Sequence, residues 1–322
     1  MPNFSGVWDL REQGVAVKGG RWSSPSEIFQ QIGLFFGGSA GAGGQNYIDQ
    51  RNLASTGNAS DFGDMSTGKY NTSSLGNTTR GVIGGGTLAG PINVIEYVTF
   101  ASASNTTDFG DLSESKQTAA PGSNHTRGIF SGGETSTAIN VIEYITIAST
   151  GNTTDFGDLL AATSYITGGI SSPTRSVALG GFNGSAFIDV IQYVTIASTG
   201  NATDFGDLSG DFYNGSALSS STRGITGVAY MGGAVNTMEY ITIASTGNST
   251  DFGDLTEARQ GGAGAAGTVY GIFAGGTAST FSNVMDYVTI ASTGNASDFG
   301  DLVNTRGYLM NGGCSSSHGG LA

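Results

Sequence analysis

The sequence predicts an all-β protein, a six-bladed β-propeller of four-stranded antiparallel blades. Three observations predict it. The string Asp-Phe-Gly-Asp occurs six times, with its phenylalanines at Phe62, Phe109, Phe156, Phe205, Phe252 and Phe299, spaced by 47, 47, 49, 47 and 47 residues. Each period holds short runs of β-branched and aromatic residues in two-residue alternation, and almost no helical spacing. Glycine fills 55 of 322 positions and proline only 5, which suits many turns and excludes a collagen-like chain. Four short strands repeated at such a period stack as propeller blades.

The elements can be justified in chain order. Residues 1–26 do not fit the repeat and form an N-terminal anchor segment; residues 27–322 form the propeller. Its first strand lies at 33–38. Within a typical unit, the run at 140–148 alternates apolar and polar residues and favours a strand; its copies lie at 94–101, 190–197, 237–244 and 284–291. Ser149-Thr150-Gly151-Asn152 follows, and because glycine and asparagine tolerate positive φ it reads as a tight hairpin turn. Asp-Phe-Gly-Asp-Leu is then the outer strand, so six copies mean six blades. A Gly/Ser-rich inner strand comes next, then a short buried strand at 127–133 that ends in a glycine pair. Around Arg223, ungapped alignment puts Val228-Ala229 in the glycine-pair place and leaves Gly232-Gly233 as a loop coincidence. The first unit has Gln50 where the others have tyrosine, so the first blade is expected to be the least regular. Residues 306–311 read as an inner strand without a blade of its own; joined to the first unit they close the ring and remove its exposed edges.

These residues resemble the kelch repeat. A kelch unit carries a glycine pair, an acid before a tyrosine, a tryptophan with a leucine three places on, and an arginine. Here the places are filled by Gly132-Gly133, Glu143-Tyr144, and Phe156 with Leu159. The arginine place, seven after the phenylalanine, holds Lys69, Lys116, Arg259 and Arg306, and departs at Thr163 and Phe212. Phenylalanine replaces tryptophan in every unit. The resemblance implies a kelch-like six-bladed propeller over roughly residues 31–317, with the six phenylalanines buried between neighbouring blades as its structural core.

Composition excludes several functions. The net charge is −13, from 25 acidic and 12 basic residues, so phosphate neutralisation and hence nucleic-acid binding is not expected. No apolar run approaches the ~20 residues of a membrane-spanning helix. A single cysteine, Cys314, cannot form an intrachain disulfide framework. Asp-Phe-Gly is a kinase tripeptide only when it occurs once beside a catalytic loop; six periodic copies are structural. The paired aspartates, such as Asp155 and Asp158, supply 12 of the 25 acids. Calcium is the cation they raise, but it needs six to eight converging oxygens. Turn and edge aspartates bonded to backbone amides are the better account, so no cofactor, metal or catalytic residue is assigned. Two histidines, His125 and His318, are too few for a copper oxidase site. The series Arg80, Arg127, Arg175 and Arg223 reads as strand-end arginines that pair with acids. Asn-X-Ser/Thr occurs twelve times, six of them in the repeated turn, where turn chemistry accounts for the asparagine.

The N-terminal segment holds both tryptophans, Trp8 and Trp22, and three of the 12 basic residues. Tryptophan is the residue most enriched at interface hot spots. Trp8, Leu10 and Trp22 are therefore expected to dock on a partner chain. The stretch from Gly6 to Gln13 resembles short segments of phage appendage proteins, and the repeated unit resembles structural proteins of marine phages of the cyanophage type. The resemblance implies a non-enzymatic virion protein, a tail fibre or appendage assembled in the host cytoplasm, whose propeller attaches to a host-surface glycan. Other virion proteins would be partners through the N-terminal segment, with homo-oligomerisation a further arrangement. The alternatives are a purely architectural decoration or adaptor protein and a polysaccharide-degrading tail enzyme.

Overall fold

The computed structural model describes residues 31–41 and 43–321. They form six four-stranded antiparallel sheets arranged in a ring. Blade 2 is typical: Ser73–Gly76, Arg80–Gly84, Ile92–Thr99 and Thr107–Lys116 follow one another from the axis outwards. Each strand is the size its place allows. Innermost strands converge on the axis and are built from small residues, as in Ala120–Ser123, Ser216–Ser219 and Ala263–Ala266. Second strands are covered on both faces and are nearly all apolar; Val82, Ile83, Ile129 and Phe130 are fully buried.

Closure comes from the C-terminus, at a different place from the one expected. The strand that joins blade 1 is Gly313–Ser315, with Gly33 opposite Ser315 and Leu34 opposite Cys314. Residues 306–311 are not that strand. Arg306 occupies the base place at the end of the outer strand, and a turn, with Gly312 N–H donating to the Leu309 carbonyl at 2.7 Å, intervenes before the inner strand begins. Blade 1 keeps the register of the others: Tyr47 opposes Asp64 just as Val94 opposes Asp111, so Gln50 is a substitution inside a regular blade. Val228 has φ of 53° where other blades have the first glycine of the pair, and Gly232 lies in open space, as the ungapped alignment requires. A buried β-branched residue in that conformation is strained.

The Asp-Phe-Gly-Asp motif is a bulge. In blade 3, Ile142 pairs with Gly157 and Glu143 with Asp155, leaving Phe156 unpaired and free to turn inward. The six motif phenylalanines are 1–2% exposed. Phe156 packs with Ile129 and Ile142 of its own blade and with Val194, Ile196 and Ala202 of the next. Tyr144 meets it edge-on at 5.9 Å, and Arg127 lies over the Tyr144 ring at 4.6 Å.

The repeated Gly-Asn segment is a latch between blades, not a tight hairpin turn. Seven residues separate the strands Val141–Thr146 and Thr154–Asp158, and they reach back to blade 2. Gly151 N–H donates to the Phe109 carbonyl at 2.7 Å and Thr153 N–H to the Asp111 carbonyl at 2.9 Å. The Asn152 side-chain oxygen accepts the Asp111 N–H at 3.0 Å. The outer edge of each blade is thus covered by the next. Gly110 must be glycine: φ is 145°, and a Cβ there would stand 2.5 Å from the Gly151 backbone. The ring closes the same way, with Asn58 on Asp301. What the motif aspartates supply is backbone; among the described residues their carboxylates accept no hydrogen bond, contrary to the expected amide-bonded turn aspartates.

Candidate functional site

The ring has two unlike faces. The connections between second and third strands share one face with the connections that enter each inner strand. Bridges from Tyr70 to Thr87, Gln117 to Glu134, Tyr213 to Tyr230 and Gln260 to Thr277 join the two sets. The Gly-Asn latches and the turns between first and second strands lie on the opposite face.

Six residues surround the axis at the first face, each in the left-handed conformation: Asn71, Thr118, Tyr165, Asn214, Gly261 and Tyr308, with φ from 49° to 66°. Hydrogen bonds join them into a circle. Asn71 N–H donates to Tyr308, Thr118 to Asn71, Asn214 to Tyr165 and Gly261 to Asn214, while Leu309 N–H returns to Gly261 at 2.8 Å. The Thr118 hydroxyl accepts the Tyr165 N–H at 3.1 Å. Asn71, Asn214 and Gly261 tolerate this backbone readily; the other three do not, and their strain is held by the circle.

Around this rim stands an aromatic surface. Tyr308 packs at 6.2 Å from Tyr70 and 6.0 Å from Phe281. Across the rim, Phe187 stacks on Tyr213 at 3.7 Å with rings 7° from parallel, and Tyr230 and Phe182 flank the pair. Phe187 and Tyr308 are each 39% exposed, and Leu88 and Met231 stand exposed on the same set of connections. A polar strip runs beside the aromatics. Thr87 and Asn71 donate to Gln117, and Gln117 donates to Glu134 at 2.8 Å. Burial, with the Glu134 carboxylate as hydrogen-bond acceptor, pushes the Tyr165 hydroxyl up to about 12. Glu134 thus accepts the Gln117 amide at the edge of the aromatic surface.

Beneath the rim the axis narrows to a cavity of about 50 Å³ lined by Ser74, Ser123, Ser171, Asn311 and His318. The far end is stitched and then plugged. Ser123 donates to Gly76, Ser219 to Ser171 and Ser315 to Ala266, each a hydroxyl on a neighbouring inner strand. Residues 316–321 cross this end. His318 is half-buried there; its Nδ1 accepts the Gly320 N–H at 3.1 Å, so Nε2 carries the proton and donates to the Gly76 carbonyl at 2.8 Å. Burial holds His318 down to about 4, and burial pushes the Cys314 thiol far above its ordinary range, leaving it unreactive.

The bases of the arginine place lie between blades. Lys69 meets Glu96 at 2.6 Å, Lys116 meets Glu143, Arg259 meets Asp286 at 2.7 Å and Arg306 meets Asp49 at 2.7 Å, each pair buried. Thr163 faces the junction where Gln192 replaces the acid, so both partners are neutral together. At Phe212 the acid remains: Glu239 is 3% exposed and has no cation, only Ser209 and Ser249 as donors. The series Arg80, Arg127, Arg175 and Arg223 does not pair with acids. Each stacks on a tyrosine at 4.4–4.6 Å and donates to a backbone carbonyl of the following blade. The spacing to Tyr97, Tyr144, Tyr193 and Tyr240 was the available signal.

Trp8, Leu10 and Trp22 lie outside the described residues. The described residues begin at Gln31, whose side chain accepts the Thr268 N–H at 2.7 Å, on the latch face. Among the described residues, no group of three or more histidine, cysteine, aspartate or glutamate side chains could hold a metal ion. No helix among them is long and apolar enough to cross a membrane. No protein-family model matches the chain, and no curated protein matches it.

Proposed function

We propose that this propeller is a non-enzymatic binding protein that holds a glycan in its aromatic mouth. The observation that carries this reading is the aromatic surface of exposed Phe187 and Tyr308 with half-buried Tyr70 and Tyr213, beside the polar strip of Gln117 and Glu134. Flat rings cover the apolar faces of sugar rings, and fixed amide and carboxylate groups meet their hydroxyls. Gln31, where the described residues begin, lies on the face opposite the mouth and accepts the Thr268 N–H. Following the resemblance of the repeat to marine phage structural proteins, the setting we propose is the virion, with a host-surface glycan as ligand and other virion proteins as partners of the segment around Trp8, Leu10 and Trp22.

The test is binding of the intact protein to host cells and to their extracted surface polysaccharide. Phe187→Ala and Tyr308→Ala should each weaken binding at least about tenfold, the effect of losing one stacking ring, while melting is little changed. Binding that survives both substitutions would refute the mouth as the site.

A further inference from the structure

We infer that the saccharide taken by this mouth is uncharged, and that uronates, sulfated and phosphorylated glycans are excluded. This rests on the carbohydrate reading above and adds the ligand's charge class to it.

The basis is the location of every described basic side chain. Lys69, Lys116, Arg259 and Arg306 lie between blades, 0–1% exposed, each neutralised by its carboxylate. Arg80, Arg127, Arg175 and Arg223 begin the second strands, at the end nearest the opposite face, and lie on their tyrosines. Arg51 is tied to the Ser55 and Thr56 carbonyls at 2.7 and 2.6 Å, in a latch loop. His318 is in the plug, and His125 lies in the turn between Ala120–Ser123 and Arg127–Ser131, beside it. Among the described residues, then, no cation faces the mouth.

The mouth carries the opposite charge. Glu134 stands on the rim, and Glu239 adds a buried carboxylate without a cation beneath it. A ligand that brings hydroxyl donors answers the half-exposed Glu134 carboxylate. One that brings further anionic acceptors meets repulsion, with no arginine or lysine to offset its desolvation. Sites that select carboxylate or sulfate do so with such cations.

The test uses the intact protein on immobilised polysaccharides with matched backbones: dextran against dextran sulfate, with mannan and galactan as neutral members and alginate and polygalacturonate as uronates. The expected result is binding to at least one neutral polymer, more than about tenfold tighter than to any anionic one, and unaffected by salt between about 50 and 500 mM. Binding of dextran sulfate, alginate or polygalacturonate as tight as that of the neutral polymers, abolished by Phe187→Ala, would overturn the charge assignment and leave the carbohydrate reading standing. Binding of no polysaccharide in either class would overturn both.

Discussion

Replacing Lys116 with methionine removes the charge of one interblade ion pair and keeps the stem that packs around it. Lys116 and Glu143 are each 1% exposed in their side chains, so the carboxylate left behind cannot reach water. Removing one partner of a buried pair costs about 3–5 kcal/mol. Glu143 keeps two other donors, the Thr153 hydroxyl and the Ser113 N–H at 2.9 Å. Glu239 persists without a cation on equivalent donors, which places the expected loss near the lower end, about 3 kcal/mol. At ~2–4 °C per kcal/mol for chains of this order, melting should fall by roughly 6–12 °C at pH 7. The pH dependence carries a sign that mere loss of packing lacks. In the parent, burial pushes the Glu143 carboxyl up, but the Lys116 ammonium and the hydrogen bonds hold it below its ordinary range. Its stabilisation is therefore complete above the ordinary glutamate value of ~4.3 and is lost as pH falls below it. Without Lys116 burial dominates, the folded-state pKa lies above the ordinary value, and stability is regained as pH falls towards it. Calorimetry at pH 7, 6 and 5 should show the gap between variant and parent closing. A loss below about 1 kcal/mol at pH 7, or a gap that widens towards pH 5, would refute the reasoning. The double variant Lys116→Thr with Glu143→Gln copies the neutral junction of Thr163 and Gln192, and should lie within about 1 kcal/mol of the parent.

Three further outcomes are expected. Phe156→Ala, emptying a site 2% exposed between blades 3 and 4, should cost about 3–5 kcal/mol by chemical denaturation; a cost below about 1 kcal/mol would contradict the packing. Asn152→Ala should cost about 1 kcal/mol and selectively speed hydrogen exchange at the Asp111 amide, the one its side chain holds; unchanged protection there would remove the latch. His318 is held down to about 4 by burial, so the unfolded chain takes up its proton first, and stability present above pH ~6.5 is lost between there and about pH 4. The loss is on the order of 3 kcal/mol, and His318→Gln, whose amide can still donate to Gly76, should flatten this part of the pH profile.

Much of the architecture was legible because the repeat fixes it. The spacing of Phe62 to Phe299 gives the blade count, and the alternation before each motif gives the third strand. The closing strand was misplaced because Arg306 was given two roles: it fills the base place, and an extra turn at 309–312 displaces the inner strand beyond it. The latch was misread for a different reason. Gly151-Asn152 has the composition of a hairpin turn, and composition reports which φ values are tolerated, not where the N–H groups go. Their partners lie 41–42 residues back, in the preceding blade, and become visible only once neighbouring copies are placed side by side. No repeated motif marks the mouth, because Tyr70, Tyr308 and Phe187 come from unrelated positions of three different units.

That last fact bears on function. The latch face repeats because its geometry demands particular residues: a glycine where backbones pass within contact, an asparagine whose side chain reaches an amide of the preceding blade, a phenylalanine at the bulge. On the mouth face the same backbone position holds Tyr70, Gln117, Ser164, Tyr213, Gln260 and Gly307 in successive units, and the position it bridges in the first five of those units holds Thr87, Glu134, Phe182, Tyr230 and Thr277. The bridges form between main-chain groups; Ser164 is buried and Gly307 leaves no room for a Cβ, but the side chains of Tyr70, Gln117, Tyr213 and Gln260 stand half-exposed and are not fixed by the ladder. Equivalent half-exposed positions filled by tyrosine in two units and by glutamine in two others make one asymmetric surface out of a symmetric ring. A ligand that is itself asymmetric, presenting an apolar face and a hydroxylated edge, is what such a surface can distinguish.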